Sequence, residues 1–267
     1  MKNILLLVHD DAGQEARLQA ALDLVAALKG HLVCLDVVGL PVMASDYFSD
    51  VAQVAMVEEE LARESEHCAR IEERLEKEGI PFEMLRASGD LADCIVRNAG
   101  LADLIVVNRK MDDPFAPEMR SVASAIALKA RKPIVAVPET ARRFDVNGPV
   151  LVAWDGSSPA MAALTAAVPL LKLARTVVLF EVEDGTVTPP AEEAAAYLSR
   201  HGIHPTIERE ARGPRQVDDH ILDAIERYGA TYCVMGAFGQ SPLRQALFGG
   251  VTRRMLATTP VPLVIVH

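Results

Sequence analysis

Short runs of Val, Ile and Leu alternate along this chain with Ala-rich stretches whose apolar residues recur at helical spacing. The runs Lys2–Val8, Leu32–Val38, Phe82–Arg86, Leu104–Val107 and Pro133–Val137 are predicted strands. Between them, Gln14–Leu28 repeats Leu18, Leu22, Val25 and Leu28 on one helical face, closed by Lys29-Gly30. A long polar helix is predicted over Asp50–Glu78, with Val54, Val57, Leu61, Cys68, Ile71 and Leu75 as its apolar stripe. Its acidic clusters read as a solvated face. Shorter helices follow at Leu91–Ala99 and Ser121–Ala130.

The pattern then begins again. After a charged linker at 139–149, punctuated by Gly148-Pro149, strands are predicted at Val150–Trp154, Thr176–Val182, Thr206–Arg209, Thr231–Met235 and Leu263–Val266. Helices are predicted at Ala160–Lys172, Ala191–Arg200, Val217–Arg227 and Val251–Ala257. Strand and helix alternating in this way build βαβ units and a parallel sheet. The two halves superpose in sequence without gaps over their first unit, His9-Asp10 falling on Trp154-Asp155 and Leu32–Val37 on Val177–Val182. Later, Leu104–Asn108 falls on Tyr232–Gly236, the first half having spent more residues on its middle helix. The chain is a tandem repeat of one α/β unit, spanning 1–138 and 150–267.

Composition narrows the function. The 267 residues suffice for two domains, and with 50% apolar but only 4% aromatic residues their cores should be aliphatic. A net charge of −10 without a basic stripe argues against non-specific nucleic-acid binding. No apolar run approaches a membrane span, and Met1–Val8 runs straight into His9-Asp10-Asp11 with no small-residue cleavage site. The expected location is the cytoplasm. Cys34, Cys68, Cys94 and Cys233 are far apart, form no CxxC pair and read as reduced, buried thiols.

Chemistry concentrates in Met235–Thr252, MGAFGQSPLRQALFGGVT. Gly236 and Gly239 follow a strand, and Gly249-Gly250 precedes a helix beginning at Val251. Glycines at a strand exit allow close approach to the main chain, and a helix N-terminus offers free N–H groups and a positive dipole end. Together these suit a phosphate, although the same glycines could simply build a tight loop. Neither a Walker A loop nor GxGxxG is present.

Gly236-x2-Gly239-x9-Gly249 resembles the G-2x-G-9x-G-(S/T) signature of the universal stress protein family. With the tandem repeat, the resemblance covers the whole chain. It implies two tandem flavodoxin-like, Rossmann-like open parallel sheets of five strands, with helices on both faces. It also implies an adenine nucleotide, ATP with or without Mg²⁺, bound in the second half. The implied contacts are Ala153, Asp155 and Gly156 at the first strand's exit, and Val182, whose backbone would meet adenine. Met235, Gly236, Gly239, Gly249, Gly250, Val251 and Thr252 would surround the phosphates. Asp155 would accept from ribose hydroxyls, or else serve the helix start in DGSSP with Ser157 and Ser158. One departure matters: the family's Ser/Thr is Gly250 here, and Thr252 is the nearest substitute hydroxyl. Arg253 and Arg254 could neutralise phosphate or face solvent, and Arg212-Gly213 falls in a loop that borders the ligand.

The first half places Asn108 and Met111 where the second has Gly236 and Gly239, and Ser121-Val122 at the helix entrance. Side chains there should block a phosphate, leaving that half without nucleotide and serving as an intramolecular pseudo-dimer partner. The fifth strands are the natural pairing surface between halves, and a homodimer is a further option. His201 and His204 in HGIHP read as a surface turn, because no third metal ligand is placed with them. Ser157-Ser158 lacks the G-x-S-x-G frame and only faintly echoes the first-strand loop of ATP pyrophosphatases. Asp112–Pro117 reads as a lid, an interaction surface or, equally, a disordered loop. The expectation is a nucleotide-responsive sensor with little or no turnover. The alternatives are the same fold acting through protein contacts or another small ligand, and an ATP-using adenylating enzyme.

Overall fold

The computed structural model describes residues 1–38, 50–109, 122–183, 187–237 and 250–267. In the first half the order is β1 (Asn3–Val8), α1 (Gln14–Leu28), β2 (His31–Val38), α2 (Asp50–Glu78), β3 (Phe82–Ser88), α3 (Leu91–Asn98), β4 (Leu104–Asn108), α4 (Val122–Ala130) and β5 (Ile134–Val137). The second half repeats it as β6 (Pro149–Trp154), α5 (Ser158–Leu171), β7 (Thr176–Glu183), α6 (Ala191–Arg200), β8 (Thr206–Ala211), α7 (Val217–Arg227), β9 (Tyr232–Gly236), α8 (Val251–Thr258) and β10 (Leu263–Val266). Local chemistry ends these helices as expected. Lys29 caps α1 in a left-handed conformation with Gly30 donating to Val25, and Asp90 accepts from the Asp93 amide at the start of α3.

Each half is a parallel array, and the two join into one ten-stranded sheet ordered β3-β2-β1-β4-β5-β10-β9-β6-β7-β8. The fifth strands meet antiparallel, with Ala136 opposite Leu263 and Ile134 opposite Ile265. Four fully buried residues on each of these strands make that seam an aliphatic one. The outermost strands differ: β3 and β8 alternate exposed and half-buried positions and carry charge, which protects a sheet edge from further pairing. Helices α1, α2, α5 and α6 cover one face of the sheet, and α3, α4, α7 and α8 the other.

The connecting segment is packed rather than loose. Phe144 and Val146 are buried, and the Phe144 ring lies 5.0 Å from that of Tyr232. The Phe144 amide donates to Asp23 of α1 at 2.6 Å, and Thr231 Oγ1 donates to the Asp145 carbonyl at 2.8 Å. A segment whose charge and Gly-Pro pair read as a linker thus ties α1 of the first half to β9 of the second. All four cysteines are free and buried, and burial pushes the thiols of Cys34, Cys68 and Cys233 up to about 12.

Candidate functional site

In each half the strand order reverses beside the first strand, between β1 and β4 and between β6 and β9. A crevice opens at the carboxyl ends of strands at such a point. In the second half Ala153 of β6 is paired with Met235 of β9, so the strand exits Trp154-Asp155 and Gly236 stand side by side.

Gly156 is needed there for two reasons. Its φ is +68°, and a Cβ would lie 2.6 Å from the Thr188 carbonyl group. Trp154 is buried and donates its ring N–H to the Pro189 carbonyl at 3.0 Å, fixing the same loop over the strand end. Asp155 is exposed, and its Oδ1 accepts from the Ser157 amide at 3.0 Å. The cap of α5 is Ser157, which accepts from the Ala160 amide at 3.3 Å. Asp155 therefore shapes the turn without capping the helix, and its side chain faces solvent above the strand ends.

Gly236 has a packing reason that its motif did not suggest. A Cβ on it would lie 2.5 Å from the Ala160 nitrogen and 2.7 Å from the Pro159 carbonyl carbon. The glycine lets α5 start directly against β9. That packing alone requires a residue without a Cβ here. Gly250 is the N-cap of α8 with φ −53° and ψ 152° and makes no side-chain cap bond. Among the described residues nothing lies within 4 Å of a Cβ placed on it. Val251, the first helical residue, is half-buried. Gly239 and Gly249 lie outside the described residues, as do Met111, Ser121 and the loop Asp112–Pro117.

Of the side chains near the start of α8, one already has an acidic partner. Arg254 Nε donates to Asp218 of α7 at 2.9 Å, which ties α8 to its neighbour, and Asp218 is buried. Thr252 stands in the first turn of α8 and is only 6% exposed. Arg253 is exposed. Val182 is half-buried and paired with Glu210 of β8. The Arg212-Gly213 turn is held by His220, a residue with no motif to mark it. His220 Nε2 lies 2.9 Å from the Arg212 carbonyl and its Nδ1 2.8 Å from Glu210. Charge-assisted bonds from His220 and Arg227 hold the Glu210 carboxyl below the usual carboxylate range. His267 is likewise unmarked in the sequence, and its ring Nδ1 donates to the carbonyl of Ala237, just beyond Gly236. His201 and His204 are both exposed, with His201 against the Tyr197 ring at 4.8 Å. Among the described residues no three His, Cys, Asp or Glu side chains are grouped to hold a metal ion.

The matching crevice of the first half is filled. Arg17 of α1 is fully buried at the strand ends, where Nε donates to the Leu7 carbonyl at 2.8 Å and Nη2 to His9 at 3.1 Å. Nη2 also meets Asp11 at 2.9 Å and Gln14 at 2.5 Å, and Nη1 donates to Asn108 Oδ1. Asn108 Nδ2 donates in turn to the Gly13 carbonyl at 3.2 Å. Burial draws the Arg17 guanidinium below its ordinary value, while Asp11 opposes that and keeps the charge paired. Sequence reasoning passed over Arg17. Its one trace was an arginine beside Leu18 and Ala21 on the apolar face of α1.

A protein-family model described as the universal stress protein family matches residues 1–138 and 147–267. A universal stress protein from Archaeoglobus fulgidus superposes with a TM-score of 0.76 at 20% identity, over 99% of this chain and 97% of its own. A functionally unknown protein from Pseudomonas aeruginosa PAO1 gives 0.61 at 18% identity, covering 100% and 92%. A putative universal stress protein from Pseudomonas aeruginosa UCBPP-PA14 gives 0.60 at 18%, covering 100% and 93%. No curated protein matches the chain.

Proposed function

The chain belongs to the universal stress protein family, and from that premise we propose that its second half binds an adenine nucleotide, ATP in the first instance, as a sensor with little or no turnover. The observation that carries this reading is the asymmetry of the two crevices. Where the first half is plugged by Arg17 and Asn108, the second keeps an exposed Asp155 and a helix whose N-cap, Gly250, has no side-chain cap among the described residues. The donor chemistry fits the ligand. Backbone N–H groups at the start of α8 suit phosphate oxygens, and the carboxylate of Asp155 suits ribose hydroxyls. With no metal-holding cluster among the described residues, Mg²⁺ would arrive on the nucleotide's own phosphates. Asp155 is already engaged with the Ser157 amide, so it serves to hold hydroxyls and is poorly suited to abstracting a proton. In the same reading the first half is a pseudo-dimer partner that binds no nucleotide.

Gly250 supports a second reading, since the position of the family's Ser/Thr carries no side-chain hydroxyl here. The same fold would then work through protein contacts or another small ligand. The test is to denature freshly purified protein, analyse the released nucleotides by ion-pair chromatography, and titrate stripped protein with ATP and Mg²⁺ by calorimetry. Co-purifying adenine nucleotide, or micromolar binding abolished by Gly239→Val, is the expected result. An empty supernatant together with a flat titration would sink the nucleotide reading and leave the second.

A further inference from the structure

The plugged crevice of the first half is connected to the helix that begins at Gly250 in the second. Arg109 follows Asn108 at the end of β4, and its Nη1 donates to the Leu256 carbonyl at 3.3 Å. Leu256 lies in the last turn of α8, where carbonyls have no later amide within the helix to accept from. A cation at that end supplies a missing donor and complements the negative end of the helix dipole. Burial lowers the Arg109 pKa and Glu139 opposes the shift, so the guanidinium reaches Leu256 from a partly desolvated position.

The base of this side chain is rigid. The Arg109 amide donates to the Val137 carbonyl at 3.0 Å, and the preceding Asn108 is gripped by Arg17 and Gly13. The repeat makes the contact one-way. Ala237 takes the matching place after β9, and its amide donates to the Val266 carbonyl at 2.8 Å in the same manner. Its methyl group, however, cannot return a hydrogen bond to α4. On its flank α8 is braced within its own half by Arg254, which pairs with Asp218 and Asp219.

We propose that Arg109 is a positioning residue for the second half's nucleotide site. The filled crevice of the first half fixes the end of β4, and Arg109 carries that constraint to the far end of α8, setting where its open N-terminus stands. This rests on the reading that α8 receives phosphate. It gives the half without the glycine motif a part in binding.

The test uses the full chain, with Arg109→Met and Arg109→Lys compared by amide hydrogen exchange and by ATP titration. In Arg109→Met, the amides of α8 should exchange about five-fold faster while those of β1 and β6 are unchanged, and ATP affinity should fall by a similar factor. Arg109→Lys should restore most of both. Unchanged exchange in α8, or a uniform rise in every helix, overturns the proposal. So does full ATP affinity in Arg109→Met beside a wild type that binds. A wild type that gives no heat with ATP defeats the nucleotide reading separately, and exchange in α8 then decides alone whether Arg109 holds the helix.

Discussion

The side-chain amide of Asn108 occupies the space that a Cβ on Gly13 would need. In the second half the small residue has changed sides, because Gly236 replaces Asn108 and the backbone of Pro159 and Ala160 moves in against it. One contact between the end of the fourth strand and the start of the first helix has thus been solved twice. One solution fills the space with side chains and the other closes it with the backbone of α5.

Gly13→Ala should cost about 2 kcal/mol through overpacking. Asn108→Gly should cost more, because it removes a partner of the buried Arg17. Combining the two should lose clearly less than the sum of the single effects. Urea midpoints for the four proteins close the cycle, and strict additivity would mean that the two residues do not share the space.

Gly236→Ala and Asp155→Ala separate packing from binding. The first drives a Cβ into the backbone of α5 and should lower stability by about 1–3 kcal/mol, whatever it does to nucleotide. The second removes an exposed carboxylate and should change the thermal midpoint little while abolishing most ATP affinity. Calorimetry alongside thermal melts distinguishes them. A fully stable Gly236→Ala protein would contradict the packing role.

Gly250→Ser supplies a hydroxyl at a position with N-cap dihedrals and, among the described residues, open space around it. Stability should rise by only a few tenths, roughly 0.3 kcal/mol. ATP affinity should rise about ten-fold, the size of one added bond to a charged phosphate. Unchanged affinity in a titration would mean that the missing hydroxyl is not what limits binding.

Stability should also fall on mild acidification. His67 of α2 is buried, with its Nδ1 3.4 Å from Asp10, and burial holds its ring below the ordinary histidine value. Asp10 opposes that shift, while Arg70, Arg17 and His9 add to it. The unfolded chain therefore takes up the proton first. His67 gives its full stabilisation above about pH 6.5 and loses it as pH falls toward the depressed folded value. Urea midpoints at about pH 7.5 and about pH 5.5 should differ less in His67→Gln than in the wild type.

Much of the architecture was legible because burial imposes period. Gln14–Leu28, Asp50–Glu78, Ala191–Arg200 and Val217–Arg227 have the bounds that their apolar spacing predicts. The edge strands β3 and β8 ran two residues longer than expected, the interior strands at most one. Ala87-Ser88 pair with Val37-Val38, and Glu210-Ala211 with Val182-Glu183, through backbone bonds that need no apolar side chain. The candidate site was legible in part. Gly156, Gly236 and Gly250 were marked by their residue type, but the reasons for two of them, contact with Thr188 and with Pro159-Ala160, involve neighbours that no spacing reveals.

From the sequence alone one can establish a tandem α/β chain, a second half with a glycine motif and a first half without one, since each follows from local period and residue type. Only the tertiary structure could show that the first crevice is filled by Arg17. It alone also shows that Arg254 serves Asp218, and that Arg109 crosses from one half to the other. A buried cation takes its partners from elements far away in sequence. Which carbonyl or carboxylate it finds is decided by how helices and strands dock, and composition carries no record of that docking.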